Sequence, residues 1–216
     1  MWNKTQLRAI TGSLSTPSKM PGLSYGLSAA HCKIGNALAN AGVAGPCQDC
    51  YAARANYQYL SVITAHARRL RALQHPDWPK AMAQQLQGTK WFRWHDSGDL
   101  QSVQHFAKIV EVAKLTPKTR HWLPTQEWGV VRTYVRNSSK LPKNLIVRFS
   151  ARKYGDGPRG KVWKLWSSVT DPATWAILRN KRGPAYACPA HDNENRCGKC
   201  RECWNPRRKW IVYRKH

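Results

Sequence analysis

Apolar positions along the chain alternate between two periods, and this alternation sets the first expectation for the fold. Leu23 to Ser28 (LSYGLS) reads as a short strand. From Ala52 to about Gln74, the residues Ala55, Tyr59, Val62, Ile63, Leu70 and Leu73 recur at spacings of three, four and seven. That spacing predicts an amphipathic helix, which Pro76 ends. Pro79 to Gln87 predicts a shorter helix with proline at its start. Trp91 to Trp94 then predicts a strand, Gln101 to Lys114 a helix stopped by Pro117, Arg120 to Pro124 a strand, and Glu127 to Arg136 a helix. Leu145 to Ser150 (LIVRFS) is the clearest strand, Val162 to Thr170 is another, and Asp171 is placed to cap a helix running to Arg179. Short strands alternating with helices imply an α/β fold with parallel strands. The rhythm breaks at Gly183. The expected organisation is therefore an α/β unit over 1–182 and a small Cys-rich extension over 183–216, which ends in the basic aromatic tail WNPRRKWIVYRKH.

Charge changes this picture. The 216 residues carry 36 Lys and Arg against 11 Asp and Glu, a formal +25. Self-repulsion on that scale favours an anionic partner, and nucleic acid is the expected one, because phosphate contacts release condensed counterions. Eleven Trp and eight Tyr are available to stack on bases. Residues Met1 to Met20 lack the apolar core of a secretory signal, and no run of about 18 apolar residues occurs, so a cytoplasmic protein with no membrane partner is expected. In that compartment clustered cysteines more often bind metal or catalyse than form disulfides.

The seven cysteines divide into Cys32, Cys47 and Cys50 near the start, and Cys188, Cys197, Cys200 and Cys203 near the end. In the second group, Cys-x2-Cys-x2-Cys with a separate Cys188-Pro189 has the ligand style of ferredoxin-type 4Fe–4S clusters, although the order is reversed. A four-cysteine zinc site is the main alternative. Lys199, Arg201, Arg207 and Arg208 are expected to lower the nearby thiol pKa values. In the first group, Cys47-x2-Cys50 is a chelating pair to which Cys32 must fold back, a path that Gly35, Gly42 and Gly45 permit. Three thiolates on a four-iron cluster leave one iron open to substrate or cofactor. A zinc site completed by His31, or unrelated buried cysteines, are the other readings.

The segment His95-Asp96-Ser97-Gly98-Asp99 follows the second of these strands and holds two of the few acids in the chain. Sites form at the C-terminal ends of strands in barrel folds, which makes His95, Asp96 and Asp99 candidate catalytic residues. Alternatively, Asp99 is the cap of the helix that starts near Gln101. Thr125, Gln126 and Glu127, together with Ser150 and Arg152, follow the next two strands.

Three cysteines in a loop after the first strand, ending Cys47-x2-Cys50-Tyr51, resemble the cluster loop of radical S-adenosylmethionine (SAM) enzymes. The first spacing here is fourteen residues rather than three, and the aromatic Tyr51 follows the last cysteine instead of preceding it. The resemblance implies a partial (β/α) barrel and a cluster on Cys32, Cys47 and Cys50. It also implies SAM chelated to the open iron and cleaved to a 5′-deoxyadenosyl radical. Tyr51, Ser97 and Gly98 would then contact the cofactor, and the four C-terminal cysteines would hold an auxiliary cluster. The segments PCQDCYAAR (46–54), FRWHDSGDL (92–100) and CGKCRECW (197–204) also resemble a family of bacteriophage proteins known by a gene-product number, which implies the host cytoplasm.

Three functions follow as expectations. The first is a radical-SAM-like enzyme acting on nucleic acid or a nucleotide, with a reductant such as flavodoxin or ferredoxin as partner. The second is a non-catalytic nucleic-acid-binding protein stapled by clusters or zinc. The third is an electron carrier.

Overall fold

A computed structural model describes residues 1–137, 140–181 and 183–215. Arg182, where the expected boundary falls, and His216 lie outside the described residues. Seven strands form one sheet: β1 (Leu23–Tyr25), β2 (Trp91–Trp94), β3 (Arg120–Thr125), β4 (Leu145–Ser150), β5 (Trp166–Thr170), β6 (Ala185–Ala187) and β7 (Trp210–Arg214). Their order is β1-β2-β3-β4-β5-β7-β6, and every pairing is parallel. The helices are α1 (Lys4–Thr11), α2 (Lys33–Asn40), α3 (Leu60–Ala72), α4 (Trp78–Gln85), α5 (Val103–Leu115), α6 (Trp128–Asn137) and α7 (Pro172–Asn180). This is an α/β architecture consistent with a partial barrel.

Local chemistry explains most of the boundaries. The Asp171 carboxylate accepts from Thr174 N at 2.9 Å and starts α7 at Pro172, as expected. Ser102, and not Asp99, caps α5 by accepting from His105 N at 3.1 Å. The helix expected from Ala52 to Gln74 is interrupted. Two 3-10 turns (Tyr51–Ala53 and Ala55–Gln58) precede α3, with Ala55 at φ +49°. Tertiary anchors override the periodicity there: the Tyr57 ring stacks on His66, and the Tyr51 hydroxyl donates to the Asp96 carbonyl. Strand β5 starts four residues later than expected, because Trp163 turns to donate to Val147 O at 2.9 Å and stacks on Phe149. Helix α1, and α2 within the cysteine loop, have no counterpart among the expected elements.

The sheet has two differently filled faces. On one, Tyr25, Phe92, Trp94, Leu123, Val147, Phe149 and Trp166 pack with Trp78, Met82 and Leu86 of and after α4 and with Phe106, Ile109 and Val110 of α5. Each such side chain contributes about 1.5–3 kcal/mol when fully buried. The register places Arg93 beside Trp122, Pro124 beside Arg148, and Ser167 beside Ile211 on the other face. The segment after β6 fills that face. Cys203 and Trp204 pack on Trp122 and Ile211, with Met20, Trp91, Cys188 and Tyr213 at the margin. Trp204 also donates to Phe92 O at 2.9 Å. The residues beyond 182 therefore supply two strands of the sheet and the filling of its second face.

Arg148, with no exposed surface, fixes that filling. Its Nε donates to Cys203 O (3.0 Å), Nη1 to Arg208 O (2.8 Å), and Nη2 to Glu202 O (3.2 Å) and Asn205 O (2.8 Å). Burial lowers its pKa, and the charges of Tyr213, Cys203 and Glu202 oppose that shift.

Two predictions follow from this packing. Arg148→Met leaves the Cys203 and Arg208 carbonyls without the guanidinium and takes a second donor from those of Glu202 and Asn205, so urea unfolding is expected to show a loss on the order of 3 kcal/mol. An unchanged urea midpoint would remove the tether from the account. The second concerns His105 and His121, both buried against the core, with pKa values pushed down to about 3 by burial. Thr116 Oγ1 donates to Val112 O at 2.7 Å, so it accepts from His121 Nε2 at 2.9 Å and fixes the proton on that nitrogen, while burial keeps the ring neutral. Between their unfolded value of about 6.5 and about 3, the unfolded chain binds protons that the native state does not. Stability is thus complete above about pH 6.5 and falls with decreasing pH, by about 2 kcal/mol per histidine at pH 5. Urea midpoints measured across this range, with His105→Gln flattening the slope, check the sign.

Candidate metal centre

The first cysteine group sits at the C-terminal ends of β1 to β4. After β1, Ser28 Oγ accepts from Ala30 N at 3.3 Å and starts a 3-10 turn that delivers Cys32. Cys32 is the residue before α2, and its side chain does not cap the helix. Glu127, just past β3, does so instead, with Oε1 accepting from Ile34 N at 2.8 Å. Lys33 Nζ donates to Gln101 O at 3.0 Å, and Gln101 Nε2 donates to His31 O at 3.3 Å.

The chain then returns past Gly45, where a Cβ would overlap the Arg152 carbonyl oxygen beyond β4. Tyr154 N donates to Ala44 O at 3.1 Å, and Asp49 is held by the Tyr154 hydroxyl at 2.8 Å and by Lys215 Nζ at 3.0 Å. The result brings Cys32 and Cys47 to one place: their sulfurs lie 3.9 and 3.5 Å from where a Cβ on Gly35 would stand. Burial, followed by the charges of Asp99, Cys50, Cys47 and Glu127, pushes the Cys32 thiol well up. Burial pushes Cys47 up to about 11, opposed by the side chain of Gln126.

The five residues of the His95–Asp99 segment do different jobs. His95 has φ +54°, is buried, and has both ring nitrogens without partners, 5.4 Å centroid to centroid from His105. Burial drives its pKa far down, aided by His105 and Arg93. Asp96 is half-buried, and its Oδ1 has no partner. Ser97 Oγ donates to Leu27 O at 2.7 Å and pairs with His66 Nε2 at 3.2 Å. Gly98 takes φ +74° where a Cβ would strike Leu27. Asp99 is buried and accepts from Leu100 N (2.7 Å), Thr125 Oγ1 (2.6 Å) and Gln126 N (2.7 Å). Burial raises its pKa to about 7 against those three bonds. Asp99 therefore laces β2 to β3 behind the cysteines, and the buried Asp96 Oδ1 lies against Gly26 without a partner.

The second group lies on the filled face. Cys188 N donates to Val212 O at 2.8 Å, and Cys197 N to Lys19 O at 2.9 Å. Cys200 Sγ is 3.5 Å from the Tyr186 hydroxyl, and Cys203 Sγ is 3.2 Å from that of Tyr213. The expected lowering of these thiol pKa values does not hold. Burial raises Cys188 to about 11 and Cys203 to about 12, and raises Cys197 despite Arg93 and Arg201. Arg208 is turned aside to Glu202 and lies over the Tyr186 ring.

Arg93 stands between the two groups. Its Nη2 is 3.5 Å from the Tyr51 hydroxyl, its Nη1 is 3.8 Å from Met20 Sδ, and the guanidinium lies 4.6 Å over the Trp122 ring. Sequence reasoning missed Arg93 and Arg148. A lone arginine inside the apolar strand LIVRFS was the available signal for the second.

All seven cysteines are free thiols. Among the described residues, no three His, Cys, Asp or Glu side chains form a site for a single metal ion. Tetrahedral zinc needs its donors within about 2.3 Å of one point. A polynuclear cluster has a larger body and takes thiolates that stand further apart. The donor set, all sulfur and grouped three and four, is of a kind that clusters and zinc both take.

Residues 3–206 match the family described as Gene product 88, and this span includes every segment that carries the phage-protein resemblance. No curated protein and no solved structure matches the chain. No described helix is long and apolar enough to cross a membrane.

Glu127→Ala removes a charge-assisted bond worth about 1.5–3 kcal/mol from the start of α2. Amide exchange at Ile34 is expected to accelerate about tenfold or more, with exchange in α5 unchanged. Equal protection at Ile34 in both proteins would show that Glu127 does not hold the Cys32 segment.

Proposed function

We propose that this chain, which belongs to the Gene product 88 family, binds two iron–sulfur clusters: one on Cys32, Cys47 and Cys50 with an open iron, the other on Cys188, Cys197, Cys200 and Cys203. The observation that carries this reading is the convergence of free thiols brought from separate elements onto one sheet. Such convergence needs its own scaffold, and the scaffold is present in Glu127, Asp99, Gln126 and Arg148.

Three thiolates leave one position of a cluster free, which in the radical-SAM resemblance receives SAM. When bound, that pair would supply one-electron cleavage chemistry. The residues of this chain would orient and exclude: Tyr51 holds the Asp96 carbonyl, and Gln126 reaches Cys47. The formal +25 supports nucleic acid as partner, and a small acidic reductant would serve the same sites. A cytoplasmic setting accords with this chemistry.

Anaerobic reconstitution is expected to give a brown protein with about eight iron and eight sulfide per chain. Cys32→Ser/Cys47→Ser/Cys50→Ser is expected to halve both, and replacing the C-terminal four is expected to remove the other half. Adding SAM to the reduced protein should change the spectrum of the first cluster and release 5′-deoxyadenosine. A colourless protein loaded with zinc overturns the reading. Iron and sulfide without any response to SAM leave the clusters and remove the enzyme.

A further inference from the structure

The surface next to the first cysteine group is unusual for a soluble chain. Of the eight large apolar or aromatic residues that the described chain exposes, four fall between positions 51 and 63: Tyr51, Tyr59, Leu60 and Ile63. Exposed apolar patches of this kind mark interaction sites. The same stretch is cationic. Between Asp49 and Asp77 there are four arginines and no acid, and Arg54 and Arg71 are exposed.

The segment is also fixed in place. Tyr51 donates its hydroxyl to the Asp96 carbonyl, its ring meets Tyr57 edge-on at 5.7 Å, and Tyr57 stacks on His66 of α3. The ledge is thus tied to the end of β2 and begins one residue after Cys50. Flat aromatic faces set among arginines, already ordered, form a stacking platform for unpaired bases.

We propose that the ledge of Tyr51, Arg54, Tyr59, Leu60 and Ile63 docks single-stranded nucleic acid and presents one nucleotide to the cysteine mouth. This deepens the nucleic-acid reading of the net charge and rests on it. Single strands are favoured over duplex because the exposed groups are aromatic and apolar faces, which duplex DNA or RNA meets only with its phosphates. An acidic reductant protein fits the charge equally, but gains nothing from exposed tyrosine rings in this way.

The test is fluorescence anisotropy with the full chain, using a labelled 20-nucleotide single strand and a duplex of the same length over a salt series. The single strand is expected to bind at least tenfold more tightly than the duplex. Tyr59→Ala and, separately, Leu60→Ser are expected to weaken single-strand binding by about 5-fold or more, with little change in salt slope. Arg54→Gln is expected to reduce the salt slope by about one ion. Ile177→Ser, exposed on α7, is the control and should bind normally. If the ledge variants bind as tightly as the parent protein, the ledge is wrong while the charge reading stands. If neither nucleic acid binds, both fall. If the ledge variants lose affinity for an acidic flavodoxin but keep it for the oligonucleotide, the surface is a reductant dock and this proposal is overturned.

Discussion

The guanidinium of Arg148 organises the molecule, because everything on the second face of the sheet depends on where it points. A charged group buried without a carboxylate bond is costly, and this one is offset only by four carbonyl oxygens from residues 202–208. Those carbonyls come from a segment that satisfies only part of its own backbone, through Asn205 N to Glu202 O and Arg208 N to Asn205 O. The arginine and the loop therefore complete each other, since each would leave buried polar groups unpaired without its partner. With residues 202–208 fixed, Cys203 and Trp204 seat on Trp122 and Ile211, and β7 enters the sheet between β5 and β6.

The mouth is built by a different principle. Its anchors are directional bonds rather than packing: Glu127 to the start of α2, Asp99 to the end of β3, and Tyr51 to the end of β2. Several buried polar atoms here are left without partners, namely His95 Nδ1 and Nε2, Asp96 Oδ1, Gln126 Oε1 and Arg152 Nε. Native cores hold few such atoms, and groups of them are expected where a site keeps bonding capacity in reserve for a ligand. Those near the strand ends that carry Cys32 and Cys47 are bonding capacity that a ligand of the proposed function would use.

The alternation of strands and helices was legible from periodicity, and β2, β3, β4 and α5 to α7 lie within a few residues of their expected limits. The cysteine grouping was legible too, because sulfur is rare and the Cys-x2-Cys spacings are local. The rest depended on long-range partners. Asp99 has the sequence context of a helix cap, yet its acceptors are spent on Thr125 and Gln126, and Ser102 caps α5 instead. The helix expected from Ala52 is broken by contacts of Tyr51 and Tyr57 with β2 and α3, which no window of that segment contains. The thiols were expected to be acidic because basic residues adjoin them in sequence. In space Arg208 is turned to Glu202, Arg201 lowers only Cys197, and burial outweighs it.

Burial also bears on the two cysteine groups as one system. Protonated thiols are neutral, so the second face as it stands holds two guanidiniums, Arg93 and Arg148, that make no carboxylate bond. Thiolates ligating an inorganic core would add negative charge within reach of both. Arg93 touches Tyr51 of the first group's loop, and its field acts on Cys197 of the second. A change of charge in either proposed centre would therefore be felt by the same cation. The two cysteine groups thus share a sheet and this arginine.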